Sequence, residues 1–181
     1  FSWCFIRLGN CPTATSASKL TAINPKPLLM LSFDNLADFR AHVGQELGTT
    51  EWVTITQEMV NDFAKATGDN QWIHVDTEMA AKYSPFKTTI AHGFLTLSLA
   101  PKFMYELYQV KSVKMGLNYG TNKVRFTSPV PTGSRVRMHA TLKEVEEQQP
   151  KGIKSTVALV FELEGSQKPA CVAEMISLMF E

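Results

Sequence analysis

Residues 93–107, GFLTLSLAPKFMYEL, decide the fold class more than any other stretch of the chain. Gly93 marks the start of a predicted helix whose apolar side chains point in nearly every direction. A helix that is apolar all round must be buried on most sides, so it predicts a central helix wrapped by a sheet. Pro101 would cost about 3 kcal/mol inside an unbroken helix, so we expect a kink or a break there. The apolar positions are Phe94, Leu95, Leu97, Leu99, Ala100, Phe103, Met104 and Leu107.

Apolar and polar residues alternate in the segments that follow this helix, as they do in strands with one buried face. Turn signals rich in Pro and Gly separate the segments, so consecutive strands are expected to be antiparallel neighbours. The pattern predicts an α+β domain in which a long antiparallel sheet curls around the central helix. The alternating segments begin at Val113, Val136, Ile153 and Ala170, and the turns lie at 131–133, 150–152 and 165–166.

Two shorter helices with recognisable ends are predicted before the central helix. Thr56 can cap the first helix, and Gly68 can end it as a left-handed C-terminal residue. Asp76 can cap the second helix, and Ser84, which precedes a proline, can end it. The residues between them, 69–75, are therefore predicted to form a tight non-helical segment that is fixed at both ends.

The composition is that of one globular domain with a real core, since 44% of the 181 residues are hydrophobic and 19% are charged. The formal net charge is only +1, so the overall electrostatic potential of the chain does not favour binding to nucleic acid or to a membrane surface. No window approaches the roughly 18 apolar residues that span a bilayer. The three cysteines cannot all pair with one another, which favours a reduced, cytoplasmic protein.

Residues 1–29 are predicted to be an N-terminal extension outside the fold. They contain a segment rich in Pro, Thr, Ala and Ser, and Arg7 interrupts their apolar start, which argues against a signal peptide. Met30 is the natural start of the folded region. The predicted domain therefore comprises residues 30–181.

The segment TGDNQWIHVD, residues 67–76, places the Asp69 carboxylate and the His74 imidazole five positions apart. A carboxylate and a neutral imidazole that share one water can take its proton and direct its attack, provided that burial adjusts their pKa values. The alternative is structural: Asp69 caps a turn and His74 is a satisfied core histidine. Spacing alone does not separate the two interpretations.

A second candidate element, Ile90-Ala91-His92-Gly93-Phe94, lies where the central helix starts. The first amides of a helix have no helical acceptor, and a glycine there lets a carbonyl oxygen approach them. An enolate-like oxyanion could be stabilised at such a place. In the alternative interpretation Gly93 only relieves crowding and His92 caps the helix.

Together these segments resemble the MaoC-like hydratase family. The family motif has Gly-Asp, any residue, usually Asn-Pro, an aliphatic residue, His, any residue and an acid. Residues 91–94 resemble a second family signature and residues 126–133 a third, and the resemblance extends from about 33 to 180. Gln71 and Trp72 replace the usual Asn and Pro, a variation similar to the branch of the nodulation protein N group. The motif positions filled here are Gly68, Asp69, Asn70, Ile73, His74 and Asp76.

The resemblance implies the hotdog fold, an antiparallel sheet around a long central helix, and a homodimer with its acyl site near the interface. It implies that Asp69 and His74 hold the water that adds to a trans-2-enoyl thioester, giving an (R)-3-hydroxyacyl product. The thioester carbonyl would meet the Gly93 amide. Coenzyme A enters as part of the substrate, and no metal or redox cofactor is expected, because the acidic and histidine residues here lack a recognised metal-ligand spacing.

Further residues are expected to contact the acyl-CoA substrate. Gln71 and Trp72 can shape the site by hydrogen bonding and an apolar wall, and His92 and Phe94 flank Gly93. The coenzyme A phosphates require a basic patch, for which the nearest candidates in the sequence are Lys123, Arg125, Arg135 and Arg137. Alternating basic residues on a strand are more often its solvated face. Two rival functions stay open: a hotdog thioesterase and a non-catalytic acyl-CoA-binding protein.

Overall fold

The computed structural model describes residues 30–181, and the predicted extension 1–29 lies outside the described residues. The central helix is built from two pieces, α5 (Gly93–Ser98) and α6 (Ala100–Leu107). Pro101 lies in the first turn of α6, where the missing N–H of proline removes no helical hydrogen bond. The break expected from Pro101 is therefore confirmed.

An antiparallel sheet of six strands covers one side of this helix. The strand order is β2-β6-β7-β8-β5, and β3 also pairs with β6. A separate parallel pair joins β1 (Leu31–Phe33) to β4 (Tyr108–Val110). The α+β architecture expected from the sequence is confirmed. The strands of the large sheet are β2 (Glu46–Thr49), β3 (Val53–Thr54), β5 (Met115–Phe126), β6 (Arg135–Gln148), β7 (Gly152–Leu163) and β8 (Cys171–Phe180).

The core lies between the concave face of the sheet and α6. Phe103 of α6 and Phe161 of β7 are fully buried, with ring centroids 6.2 Å apart. Burying a side chain of this size contributes about 1.5–3 kcal/mol. The alternation read from the sequence matches this arrangement, because Val136 and Met138 face the core and are fully buried while Arg137 between them is not.

The strand predicted from Val113 to Tyr119 differs in its bounds, since β5 begins at Met115 and runs to Phe126. It is an edge strand, and nearly all of its residues are exposed. Because neither face of β5 is fully covered, burial does not impose a clean alternation on its second half. The alternation of apolar and polar residues therefore ends before the C-terminal end of β5.

The helices before the centre have the predicted ends. In α2 (Gln57–Thr67) the Thr56 hydroxyl accepts the Met59 amide at 3.2 Å, and Gly68 ends the helix with φ of 81°. In α4 (Thr77–Tyr83) the Asp76 carboxylate accepts the Met79 amide at 2.8 Å. A short helix, α1 (Leu36–Ala41), lies near the start of the domain. Among residues 30–181 no helix is long and apolar enough to cross a membrane.

The segment between α2 and α4 is not wholly irregular, so the prediction for residues 69–75 was partly wrong. A single helical turn, α3 (Trp72–Val75), forms there. The Gln71 carbonyl accepts the His74 amide at 2.9 Å, and the Trp72 carbonyl accepts the Asp76 amide at 3.0 Å. These local bonds close a turn too short to produce a helical repeat in the sequence.

Candidate active site

His74 is buried on α3, and its hydrogen bond to a main-chain oxygen determines which ring nitrogen carries the proton. Nδ1 lies 2.7 Å from the main-chain oxygen of Ile90. A carbonyl oxygen only accepts hydrogen bonds, so Nδ1 must donate. In the neutral ring Nε2 is then a bare lone pair that can accept a proton from water. The hydrogen bond to the Ile90 oxygen thus leaves Nε2 of His74 as a possible acceptor.

The extended segment 89–91 is hydrogen-bonded both to α3 and to the loop that follows β5. The Ile90 amide donates to the Ile73 oxygen at 3.0 Å, which ties this segment to α3. The Ala91 amide donates to the Val130 oxygen at 2.8 Å, which ties it to the loop after β5. The three sequence signatures, at 68–76, 91–94 and 126–133, are therefore hydrogen-bonded neighbours.

A polar network that the sequence did not reveal supports the same turn. The Gln57 side-chain amide donates to the His74 carbonyl at 2.8 Å, and its oxygen accepts a hydrogen bond from the buried Thr89 hydroxyl. The Thr132 hydroxyl lies 2.9 Å from that of Thr89 and can donate to it. Gln57 follows the cap residue of α2, a position at which glutamine has no distinctive pattern, so only the folded chain shows its role.

His92 lies beside His74, although 18 residues separate them in the sequence. The two rings stack with centroids 3.9 Å apart and planes inclined by 28°. Nε2 of His92 lies 3.0 Å from the main-chain oxygen of Asp69. His92 occupies the N-cap position of α5, as the alternative interpretation held, but its side chain makes no cap hydrogen bond to the helix.

Asp69 completes the cluster at the solvent side. Its carboxylate is 56% exposed, and Oδ2 lies 3.9 Å from Nε2 of His92. One possible ligand atom from each of Asp69, His74 and His92 lies within 4.8 Å of the others. A carboxylate and an imidazole base thus face one small volume, which is the geometry that acid/base work on a water needs.

The same cluster is poorly arranged for a metal ion. A ring nitrogen binds an ion at roughly 2.0–2.1 Å along its lone pair, which lies in the plane of the ring. The rings of His74 and His92 are stacked with centroids 3.9 Å apart and planes inclined by only 28°, so an ion at bonding distance in the plane of one ring lies outside the plane of the other. Nδ1 of His74 and Nε2 of His92 also donate to main-chain oxygens. The donor set fits proton transfer better than coordination.

Gly93 is the first residue of α5, where no side chain caps the helix and its own amide has no helical acceptor. A Cβ at this position would lie 2.7 Å from Cγ of Phe126. The glycine is therefore required by close packing, as the structural alternative held. The two interpretations are compatible, because a glycine here avoids a clash with Phe126 and also leaves no side chain of its own beside the amide.

The basic candidates divide into two groups. Arg135 pairs with Glu164, and Arg137 pairs with Glu162 at 2.7 Å. Lys123 and Lys143 both bind Glu174, and their hydrogen bonds lower the pKa of that carboxyl. For Lys123, Arg135 and Arg137 the structure thus shows partners within the sheet.

Arg125 differs, since its guanidinium bonds only the Val124 carbonyl, at 2.7 Å, and makes no ion pair within residues 30–181. It also precedes Phe126, which contacts Gly93.

The other substrate-binding candidates lie at the surface near the cluster. Gln71 and Trp72 begin the turn that carries His74, and both are exposed. Phe94 is 67% exposed and contacts Phe126 edge-on, with centroids 5.4 Å apart. These side chains, unlike His92, are free to meet a ligand.

An apolar groove, which we call the helix groove, runs from Phe94 along the central helix. A cavity of about 250 Å³ begins at Phe94 and Leu97. A second cavity of about 440 Å³ continues beside Tyr105 and Tyr108. The two share Pro101, Asn118 and Met175. The lining residues of the two cavities do not include Asp69 or His74.

Comparison with known proteins assigns the chain to a family. The family described as MaoC like domain matches residues 38–163. The chain belongs to the MaoC-like family. It is accordingly an enzyme of the hydratase and dehydratase class, with a hotdog fold.

Among its MaoC-like relatives, 3-hydroxyacyl-thioester dehydratase Z of Mycobacterium tuberculosis H37Rv is 56% identical over 147 residues, which cover 81% of this chain and 97% of the relative. Nodulation protein N of Rhizobium leguminosarum bv. viciae is 44% identical, covering 80% and 91%. This confirms the resemblance to the nodulation protein N branch. An Archaeoglobus structure titled monoamine oxidase regulatory protein superposes with a TM-score of 0.68 at 25% identity, covering 83% of this chain and 97% of that one.

Proposed function

We propose that this MaoC-like enzyme adds water to a trans-2-enoyl-CoA to give an (R)-3-hydroxyacyl-CoA, or catalyses the reverse dehydration. The observation that carries the proposal is the cluster in which a carboxylate oxygen of Asp69 and one ring nitrogen each of His74 and His92 lie within 4.8 Å of one another. The hydrogen bond from Nδ1 to the Ile90 oxygen leaves Nε2 of His74 as the nitrogen that can take a proton. The name of the relative at 56% identity, a 3-hydroxyacyl-thioester dehydratase, supports the same reaction class.

In the proposed mechanism Asp69 and His74 hold one water between them. Nε2 of His74 takes a proton as the water oxygen bonds to the β-carbon, and Asp69 orients the water as an acceptor. The electron pair of the double bond moves toward the thioester oxygen, where the Gly93 amide stabilises the charge. The α-carbon then takes the proton that His74 accepted from the water, which restores the thioester, returns His74 to its neutral form and leaves water added across the double bond.

The helix groove is the proposed site of the acyl chain. It starts next to Phe94, one residue after the proposed carbonyl contact, and its lining is mainly apolar. Along the helix, Gly93 and Tyr105 are separated by roughly 18 Å at 1.5 Å per residue. An acyl chain longer than a short enoyl group would therefore extend past Pro101 toward Tyr105.

We also propose a homodimer joined through β5. This strand is at the sheet edge, so one row of its amides and carbonyls is unpaired within residues 30–181. Its exposed Leu117 and Tyr119 accompany Tyr105, which is 79% exposed on α6. A second copy pairing along β5 would cover these apolar side chains and close the open side of the helix groove.

For the coenzyme A moiety, Arg125 is the best remaining candidate. It lies one residue from Phe126 at the Gly93 end and has no acidic partner within the part of the chain that the structure describes. Lys123 could serve only if its bond to Glu174 were exchanged for one to a phosphate. The reaction itself needs neither a metal nor a redox cofactor.

The test is a panel of enoyl-CoA substrates of increasing length, followed simultaneously by loss of the enone absorbance and by release of free thiol. Hydration removes the enone and releases no thiol. Thiol release at the same rate as substrate loss would show the rival thioesterase. Binding of acyl-CoA without either signal, measured by calorimetry, would show the rival non-catalytic binding protein and overturn the proposal.

A further inference from the structure

His92 lies in the interior of the site rather than on its surface. Its side chain is only 3% exposed. One face of the ring stacks on His74 at 3.9 Å, and the Phe63 ring lies 5.0 Å away. A substrate therefore has no open route to the ring, although its place next to Gly93 in the sequence suggested a substrate contact.

Within residues 30–181 the His92 side chain makes one hydrogen bond, which is directed at the main chain of Asp69. Nε2 lies 3.0 Å from the Asp69 oxygen and must donate, since a carbonyl only accepts. The Asp69 amide makes a longer contact, 3.5 Å, to the Thr67 hydroxyl. The bond from His92 is thus the shorter of the two that hold the Asp69 main chain within residues 30–181.

The other ring nitrogen of His92, Nδ1, makes no hydrogen bond of this kind to any described residue. Nδ1 of His92 is buried and has no hydrogen-bond partner in the described part of the chain. A buried polar atom without a partner typically costs about 1–3 kcal/mol. Histidine is therefore not the best side chain for stability here, and the Nε2 donor is the part of the ring with a specific contact.

We infer that His92 is a positioning residue, which holds Asp69 through its main chain and His74 through ring stacking so that both side chains face one water. The inference rests on the proposed hydration, because it concerns the same carboxylate and imidazole. His92 does not touch the substrate. Its loss should reduce the rate of the chemical step and leave substrate binding nearly unchanged.

Three variants of the full chain separate this role from packing. His92→Phe keeps a flat ring for stacking and removes the donor. His92→Gln keeps an amide N–H that can reach the Asp69 oxygen. Phe63→Leu disturbs the packing against His92 and leaves its hydrogen bond to Asp69 in place. Each is compared with the parent for kcat, KM and Tm on an enoyl-CoA that the parent hydrates.

We expect His92→Phe to lower kcat about 10-fold to 10²-fold, the loss typical of a misplaced catalytic group, with KM changed little. His92→Gln should recover a large part of that loss. Phe63→Leu should lower Tm while kcat stays near the parent value. Equal kcat in His92→Phe and the parent would overturn the inference, as would a raised KM at unchanged kcat, which would indicate substrate contact. Losses of kcat in all three variants that follow Tm would show a merely structural role.

A second measurement does not depend on activity. In a crystal structure of His92→Phe we expect the Asp69 main chain to move away from its position beside His74, and in His92→Gln to stay. An unmoved Asp69 in His92→Phe would overturn the inference even if the parent hydrates nothing in the panel. Failure of the panel alone would reject the proposed function and leave this positional result as it stands.

Discussion

The rings of His74 and His92 lie stacked, with centroids 3.9 Å apart and an angle of 28° between their planes. They are brought together by segment 89–91, where the Ile90 amide bonds the Ile73 oxygen and the Ile90 oxygen accepts Nδ1 of His74. Ile90 thus bonds the segment that carries His74, and the stacking of His74 on His92 adds a second contact between that segment and residues 91–94. The site is rigid because each imidazole is fixed both by its neighbour ring and by a main-chain bond.

Asp69→Asn and His74→Ala should each remove most of the hydration activity while the fold is kept. Asn preserves the shape of the Asp69 side chain but removes the negative charge with which Asp69 orients the water, and Ala removes the base at His74. We expect losses of about 10²-fold to 10⁴-fold in kcat. Because both groups act on one water, the double variant should be little worse than the worse single one. Additive losses would show independent roles, and near-parental rates in either single variant would make both residues structural.

Gly93→Val should lower both stability and turnover, because its Cβ would lie 2.7 Å from the Phe126 ring. Adding Phe126→Ala removes the clash, so Gly93→Val/Phe126→Ala should recover Tm. Its kcat should stay about 10²-fold below that of Phe126→Ala, since the valine still blocks the amide. Recovery of both quantities would show that Gly93 serves packing only.

Gln57→Met should destabilise the protein by about 1–3 kcal/mol, because the buried Thr89 hydroxyl loses its acceptor and the His74 carbonyl its donor. The free energy of unfolding is measured by urea titration. Asn61→Ala is the matched control, since it removes only the exposed bond between Asn61 and Gln57. A loss in Asn61→Ala as large as that in Gln57→Met would show that the network behind His74 contributes little.

Leu117→Glu on β5 should convert the proposed dimer into a monomer, because it places a charge where two edge strands would meet. Light scattering at micromolar concentration measures the mass. Val160→Glu is the control: Val160 is 40% exposed, against 47% for Leu117, but it lies on a central strand. A parent chain that is already monomeric, or a dimer lost equally in both variants, contradicts pairing through β5.

Local signals in the sequence were sufficient for much of the site. Gly68 needs a left-handed conformation, with φ of 81°, and Thr56 and Asp76 use their own side chains to cap the next turn. Such features depend on a few neighbouring residues, so they can be read without the fold. The Gly-Asp and His spacing of the family motif is local in the same sense. It singled out Asp69 and His74 as a pair, but it did not show which atoms face each other.

The sequence by itself determined the fold class, because an all-round apolar helix at 93–107 must be enclosed and the alternating segments after it supply the enclosing sheet. Only the tertiary structure decided which groups act on one another. Gln57 reaches the His74 carbonyl across 17 residues, His92 reaches the Asp69 oxygen across 23, and Phe126 packs on Gly93. The physical reason is that hydrogen bonds and contacts depend on separations of a few ångströms, and such separations between distant residues are set by strand register and helix packing, which leave no periodic trace in the chain.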